Sequence, residues 1–226
     1  MATPIILLGH SANYADILDT IEDINAAQGP QGPRYELLGF LDDREAQQGR
    51  SFHGYPVLGR YAAAPALAQQ FPGAAFSTWI GGVETYLQRQ KVIDGLGLPP
   101  ERFATLVHPT AYVSRRARLG RGVVVYQHCT IANNAVLGDH VVVLPNTVIS
   151  HDDIIGDYTA ITGGVAIAGN VTVGPSCYLG TNCSIHPGVS IGEGSLVGMG
   201  SVVLHDVGPY QVVAGNPVRL LRDARR

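Results

Sequence analysis

Charge is scarce in this chain of 226 residues: Asp, Glu, Lys and Arg together make up 15 %, well under the usual ~25 %. The hydrophobic share of 46 % is that of an ordinary globular protein, so disorder does not explain the shortage. Fifteen bases against eighteen acids leave a net charge of −3, which argues against a nucleic-acid-binding surface. Lys91 is the single lysine, and residues 122–218 hold neither Lys nor Arg. Cys129, Cys177 and Cys183 lack CxxC spacing, which disfavours a disulfide framework or zinc ribbon and points to a reducing cytoplasm. No apolar run approaches the ~20 residues that span a bilayer. The opening Ile5-Ile6-Leu7-Leu8 is too short, and too poor in flanking bases, for a secretory signal.

What is abundant is glycine, 28 residues, and it is periodic. Gly120, Gly138, Gly156, Gly174 and Gly192 stand eighteen apart. A second period runs with it. Every sixth residue from Val107 to Val203, seventeen in succession, is Val, Leu or Ile. Four positions after each aliphatic the residue is mostly small, as at Ala117, Cys129, Ala135, Cys177, Cys183 and Ser201. Three hexapeptides per eighteen-residue turn describe a triangular coil with one short parallel strand per side. Such a chain is an all-β left-handed parallel β-helix built of hexapeptide repeats. The repeat runs from 107 to 208 and ends where the next aliphatic position is Pro209. The cysteines fall on interior positions, where Cys acts as a small hydrophobe.

Residues 1–106 follow other periods. Residues 4–9 read as a buried strand, Ser11 as a helix N-cap and 14–24 as an amphipathic helix. Further strands are expected at 35–41, 57–58 and 75–81, and helices at 61–70 and 84–96. Residues 29–33 form a loop. This alternation implies a small parallel sheet covered by helices.

Within the coils, His151 is followed by Asp152 and Asp153. A neutral imidazole accepts a proton near pH 7, and an adjacent carboxylate orients it and raises its basicity; a solvated polar corner is the bland alternative. The eighteen-residue period stacks Asn133, His151 and Gly169 on one corner, and Pro145, Gly163, Thr181 and Met199 on another. A ligand touching both columns is easiest to place between neighbouring prisms, which suggests a cyclic trimer with shared sites. Asp153 occupies an interior position that is normally small or apolar; the sequence leaves open whether it partners the site. Zinc is disfavoured. The β-helix carbonic anhydrases resemble the chain in coil architecture, but their close histidine pair is missing among His128, His140, His151, His186 and His205.

Three segments carry a family resemblance: Val148-Ile149-Ser150-His151-Asp152, Ala168-Gly169-Asn170 and Val213-Ala214-Gly215-Asn216-Pro217. They resemble the β-helix sugar acetyltransferases. With Phe40-Leu41-Asp42-Asp43 and Ile80-Gly81 in the first half, the chain is similar to the nucleotide-sugar N-acetyltransferases of bacillosamine and perosamine biosynthesis, grouped with the sialic acid O-acetyltransferase family. The resemblance covers nearly the whole chain. It implies a Rossmann-like α/β domain at 1–106 that binds a nucleotide sugar, then a β-helix acetyltransferase domain at 107–226.

The implied reaction is acetyl transfer from acetyl-CoA to the amine of a nucleotide-linked 4-amino-4,6-dideoxy sugar, by direct attack. His151 would be the general base, Asp152 its partner, and the Gly169 amide an oxyanion donor. Thr181 and Met199 would contact acetyl-CoA; because residues 122–218 hold no Lys or Arg, its phosphates would need backbone amides, or Arg219 and Arg222 in the terminal segment. Gly9, Ser11, Asp42, Asp43 and Gly81 would line the nucleotide-sugar site, no metal would be needed, and the enzyme would be a cytoplasmic homotrimer. The family's turn after strand one, roughly Gly-Ala-Ser-Gly-His-Gly, is here Gly9-His10-Ser11-Ala12-Asn13-Tyr14. Asp42 and Asp43 are suited to base or ribose, and equally to capping a turn. O-acetylation of a sialic-acid-like sugar is the alternative within the fold, and a non-catalytic scaffold the alternative outside it.

Overall fold

The computed structural model describes residues 2–9, 14–27, 29, 35–78 and 82–226. The expected residues Ser11 and Gly81 lie outside these. The first part of the chain is a small α/β unit. Strands β1 (Thr3–Leu8), β2 (Tyr35–Leu41) and β5 (Ala75–Thr78) are parallel, with β1 in the middle. β4 (Tyr55–Gly59) continues the sheet beside β2, and β3 (Ser51–Phe52) pairs antiparallel with β4 at the edge. That hairpin is absent from the sequence reading, which expected only a strand at 57–58. Its two turn residues, His53 at φ 48° and Gly54 at φ 85°, have the paired positive angles of a tight hairpin, but His-Gly lacks the usual Asn-Gly or Asp-Gly signature.

Alternate residues of β1 feed opposite cores. Ile5 and Leu7 pack with helix α1 (Tyr14–Ala27), while Ile6 and Leu8 pack with α2 (Ala64–Gln70) and α3 (Arg89–Asp94). On α1 the residues Ile17, Leu18, Ile21 and Ile24 are buried, the spacing of one helical face. The helix expected at 84–96 is shorter. The Thr85 hydroxyl accepts the Gly82 N–H at 3.0 Å and holds a turn; a 3₁₀ turn over Tyr86–Gln88 precedes α3. Beyond α3, Gly97 at φ 64° turns the chain away. Likewise the helix expected at 61–70 opens with a 3₁₀ turn over Tyr61–Ala63.

From Leu106 the chain winds into a triangular prism. Seventeen two-residue strands, β6 (Leu106–Val107) to β22 (Val202–Val203), are distributed over three parallel sheets. Each strand pairs with the one eighteen residues on, as Ile131 does with Ile149 and Val143 with Ile161. The three sheets and the hexapeptide repeat fit a left-handed β-helix. The aliphatic series fills its interior, and all members from Val125 to Val203 are at most 3 % exposed. Val107, Val113 and Leu119 are only partly buried, because the first coil has no coil beneath it.

Two features of the prism refine the sequence reading. The third residue after the aliphatic carries the bend, with positive φ at Asn134, Asn146, Asp152, Asn170 and Asn182, a conformation that Asn, Asp and Gly tolerate best. The glycine column answers a different need: a Cβ on Gly174 would lie 2.6 Å from the Glu193 nitrogen of the next coil. Nor does the first sheet stop with the repeat. After Pro209 it gains β23 (Gln211–Gly215) and the antiparallel β24 (Val218–Asp223). Val197 pairs with Val213, a step of sixteen rather than eighteen.

The α/β unit sits on the prism through several contacts, among them Tyr86, which packs against Leu196 and Val212 and donates its hydroxyl to the Gly194 carbonyl at 2.9 Å. One face of α1 and the sheet meets Leu106, Val124, Tyr126 and Val142 on the first sheet of the prism. At the corner after the third sheet, Arg89 is fully buried, and its guanidinium donates to the carbonyl of His140 at 2.9 Å. Beside it, His140 stacks on Tyr158 with ring centroids 5.2 Å apart, and the Tyr158 hydroxyl donates to Asp94 at 2.7 Å.

Candidate functional site

His151 stands on the corner that follows Val148–Ile149 of the second sheet. Asp152 is the positive-φ residue of that bend, at 61°, and this brings its carboxylate back beside the imidazole. Asp152 Oδ2 lies 2.8 Å from His151 Nδ1. The other carboxylate oxygen, Oδ1, accepts a hydrogen bond from the Asn134 side-chain amide at 3.0 Å. Asn134 first, and then the imidazole, hold the Asp152 carboxyl below its ordinary range. It is therefore an anion at neutral pH, and as a pure acceptor it takes the N–H of His151 Nδ1, which leaves Nε2 as the acceptor nitrogen of the neutral ring. His151 is 59 % exposed, open to an incoming group. Asn134 was missed in the sequence, although it lies eighteen residues before Asp152 and so directly beneath it.

Gly169 lies one coil above His151. The Asn170 N–H donates to the His151 carbonyl at 3.0 Å, so the two corners are tied together. A Cβ on Gly169 would stand 2.5 Å from His151 Cε1 and 2.6 Å from Nε2. Only glycine lets the imidazole lie flat against the next coil. The column therefore juxtaposes a base-type nitrogen and a backbone amide.

Thr181 and Met199 occupy the neighbouring corner, between the first and second sheets. The Gly200 N–H donates to the Thr181 carbonyl at 2.8 Å, which stacks them. The Thr181 hydroxyl is 3.2 Å from that of Thr162, and Met199 is 79 % exposed. Arg219 continues this side of the prism: Val197 pairs with Val213, and Ala214 with Arg219. Arg219 thus lies two strands beyond Gly198, about 10 Å at ordinary spacing. Arg222 instead donates to the carbonyls of Asp223 and Arg226. In a single chain, then, the His151–Gly169 column and the Thr181–Met199 column are one side of the prism apart.

At the C-terminal edge of the α/β sheet, Gly9 has φ 94° and donates its N–H to the Leu41 carbonyl at 2.9 Å. Asp42 is 2 % exposed, and its Oδ1 accepts the Arg44 backbone N–H at 2.8 Å. The Arg44 guanidinium also meets its Oδ2 at 2.8 Å. Asp43 accepts the Tyr61 N–H at 2.7 Å and so caps the turn at Tyr61–Ala63. Of the two roles open to these aspartates in the sequence, turn-holding is the one these contacts display. Among the described residues no three His, Cys, Asp or Glu side chains converge as a metal site, and no helix is long and apolar enough to cross a membrane. The three cysteines are buried, and burial pushes their thiols up to about 11 for Cys129 and about 12 for Cys177 and Cys183.

With this geometry in view, comparison with known proteins is informative. The family description "Bacterial transferase hexapeptide (six repeats)" matches residues 170–205. PerB from Caulobacter crescentus, in complex with CoA and GDP-perosamine, superposes with a TM-score of 0.82 at 25 % identity, covering 97 % of both chains. The chain resembles the nucleotide-sugar N-acetyltransferases. The acetyltransferase domain of PglB from Neisseria gonorrhoeae, in complex with acetyl coenzyme A, gives a TM-score of 0.79 at 25 % identity over 98 % of this chain and 100 % of that one. A mutant of the Caulobacter GDP-perosamine N-acetyltransferase has the same fold, with a TM-score of 0.77 at 24 % identity over 97 % of each. No curated protein matches the sequence significantly.

Proposed function

We propose that this chain transfers the acetyl group of acetyl-CoA to the amine of a nucleotide-linked 4-amino-4,6-dideoxy sugar. The observation that carries the proposal is the His151–Asp152 pair, 2.8 Å apart and open to solvent, pressed against Gly169. Its likeness to PerB and PglB over nearly their full lengths supports the substrate class.

In this reading the sugar amine attacks the thioester carbonyl directly, and acetyl-CoA supplies the activated acyl group. His151 Nε2 takes the proton that the amine sheds as the new C–N bond forms. Asp152 keeps Nδ1 protonated, fixes the ring and stabilises the imidazolium. The Gly169 N–H donates to no acceptor among the described residues, so it is available to the developing oxyanion. The C–S bond then breaks, and the thiolate leaves as CoA, taking a proton from the imidazolium or from water.

The donor would lie along Thr181 and Met199. Its phosphates would be held by backbone amides and by Arg219, since residues 122–218 offer no basic side chain. Because Met199 and His151 occupy different corners, a complete site needs a second chain, and we assign a homotrimer with sites between subunits. Val148 and Ile154, on either side of the His151 corner, expose 41 % and 51 % of their surface, which suits such an interface. Residues 1–106 would form a Rossmann-like domain. The strand order β4-β2-β1-β5 reverses at β1, and ligands of open α/β sheets bind at the carboxyl ends of the strands beside such a reversal. Gly9, Asp42 and Asp43 lie at that edge, and Ser11 and Gly81 belong to the same proposed site. The setting would be cytoplasmic glycan biosynthesis.

The test is a screen of UDP-, GDP- and dTDP-linked amino sugars with acetyl-CoA, read as thiol release. One acceptor should turn over, and His151→Ala should lower kcat by about 10²–10⁴-fold with little change in KM for acetyl-CoA. Full activity in His151→Ala would refute the base, and turnover of hydroxyl sugars alone would refute the amine.

A further inference from the structure

Beyond residue 106, basic side chains stand only at the two ends of the prism. Four arginines fall within residues 115–121 and four within 219–226, with none between. The first group is in register with the proposed base. Val113, Ile131 and Ile149 are paired neighbours on the second sheet, and two places beyond them come Arg115, Asn133 and His151. One place further along are Arg116, Asn134 and Asp152. Past the corner, Arg118 pairs with Val136 and Val136 with Ile154, so the register holds through the bend. Arg115 thus lies two coils beneath His151, about 10 Å at ordinary strand spacing.

The turn that carries these two arginines is held by its own backbone. Ser114 is buried; its hydroxyl accepts the Arg116 N–H at 3.3 Å and its carbonyl the Ala117 N–H at 3.0 Å. Both arginine side chains are exposed. Elsewhere on the surface Arg44, Arg60 and Arg225 each meet a carboxylate. Among the described residues neither Arg115 nor Arg116 meets one. Two adjacent guanidinium groups without a counter-charge favour a polyanion, and their planar forks match phosphate oxygens.

We propose that Arg115 and Arg116 bind the diphosphate of the nucleotide-linked acceptor, while its sugar lies along the corner past the exposed Asn133 with the amine at His151. The proposal rests on the reading of His151 as the base of an acetyl transfer. The lengths agree. From the C4 amine across the pyranose ring and the glycosidic oxygen to the first phosphorus is about 6–7 Å, with bonds of about 1.5 Å. A hydrogen bond of about 3 Å joins the amine to the base, so the phosphate falls near the coil of Arg115. The α/β unit of the same chain covers the first sheet, across the prism from this corner. The nucleoside would therefore extend to the α/β unit of a neighbouring subunit. The phosphates of the two substrates would lie at opposite ends of the prism, the acceptor's at Arg115 and Arg116 and those of CoA at Arg219, with the reacting groups meeting between them.

The experiment measures binding of UDP, GDP and dTDP by calorimetry, which needs no turnover. It compares wild type, the double variant Arg115→Gln with Arg116→Gln, and Arg121→Gln, which removes a charge at a different corner of the same coil. Wild type should bind one of the three diphosphates, and the double variant should bind it about 10–100-fold more weakly. Arg121→Gln should bind it as wild type does, and CoA affinity should not change in any variant. Added salt should weaken diphosphate binding more steeply in wild type than in the double variant, a difference that a merely structural role would not produce. The two single variants, each expected to show part of the loss, serve if the double variant folds poorly. Undiminished diphosphate binding in the variants, no binding of any of the three by wild type, or an equal loss of CoA affinity would overturn the proposal. The acceptor screen with acetyl-CoA decides the reaction separately. A wild type that binds a diphosphate through these arginines yet acetylates no amino sugar would refute the acetyl transfer and not the anion subsite.

Discussion

Gly169→Ala is the sharpest test of the site, because its consequence follows from two distances. The added methyl carbon would sit 2.5 Å from His151 Cε1 and 2.6 Å from Nε2. Carbon atoms make contact at about 3.5–4.0 Å, so the imidazole has to retreat by about 1 Å. The backbone does not have to move, because His151 is 59 % exposed and free to swing outward. Stability should therefore change by less than about 1 kcal/mol. Retreat re-aims Nε2 and strains or breaks the 2.8 Å bond from Nδ1 to Asp152. A misplacement of about 1 Å at a reacting group costs on the order of 10²-fold in rate, which is about 2.7 kcal/mol of barrier. The assay is thiol release at saturating acetyl-CoA and acceptor, with thermal melting of the same sample. We expect kcat to fall roughly 100-fold while Tm shifts by at most a few degrees. A kcat within about 3-fold of wild type would refute the reasoning, since it would mean that the flat packing of His151 on Gly169 has no part in the chemistry.

The remaining expectations concern the prism. Ile149 is fully buried one residue before the corner loop that carries His151, and Ile149→Ala should cost about 2–5 kcal/mol, read by urea denaturation. Cys129, Cys177 and Cys183 are buried, with thiols raised to about 11 or 12 by desolvation, so the native protein should resist a thiol reagent at pH 8 that labels all three after unfolding. Rapid labelling of the native protein would contradict that burial.

The prism was readable from sequence because each of its sides repeats one physical problem. An aliphatic side chain must point inward every sixth residue, and a run of seventeen leaves no other period. The role of the glycines was harder to read. Periodicity marks that Gly174 matters, but only the 2.6 Å approach of Glu193 shows that it clears a path for the next coil, while the bending falls to residues such as Asn170 and Asn182. In the α/β unit, local sequence was a weaker guide. His53-Gly54 makes a hairpin turn without the usual residues, and the helix near Arg89 is shortened where that side chain turns to the carbonyls of the prism. Asp42 and Asp43 illustrate the limit most plainly: a carboxylate at a strand end suits a ribose or a neighbouring N–H equally, and side-chain placement alone distinguishes them.

The site itself divides along the same line. Counting eighteen residues from His151 finds Gly169, and the same count back from Asp152 finds Asn134, the amide that holds the carboxylate in place. Asp153 needs the count as well, since its partner is the Val171 N–H, again eighteen residues on. In a coiled chain the residue one turn away shares the same corner, however far off it lies along the sequence. The base is therefore held not by Asp152 alone but by two vertical contacts as well, Asn134 beneath Asp152 and Gly169 above the imidazole. A substitution at either should disturb the base as much as one at Asp152, although neither stands beside it in the sequence.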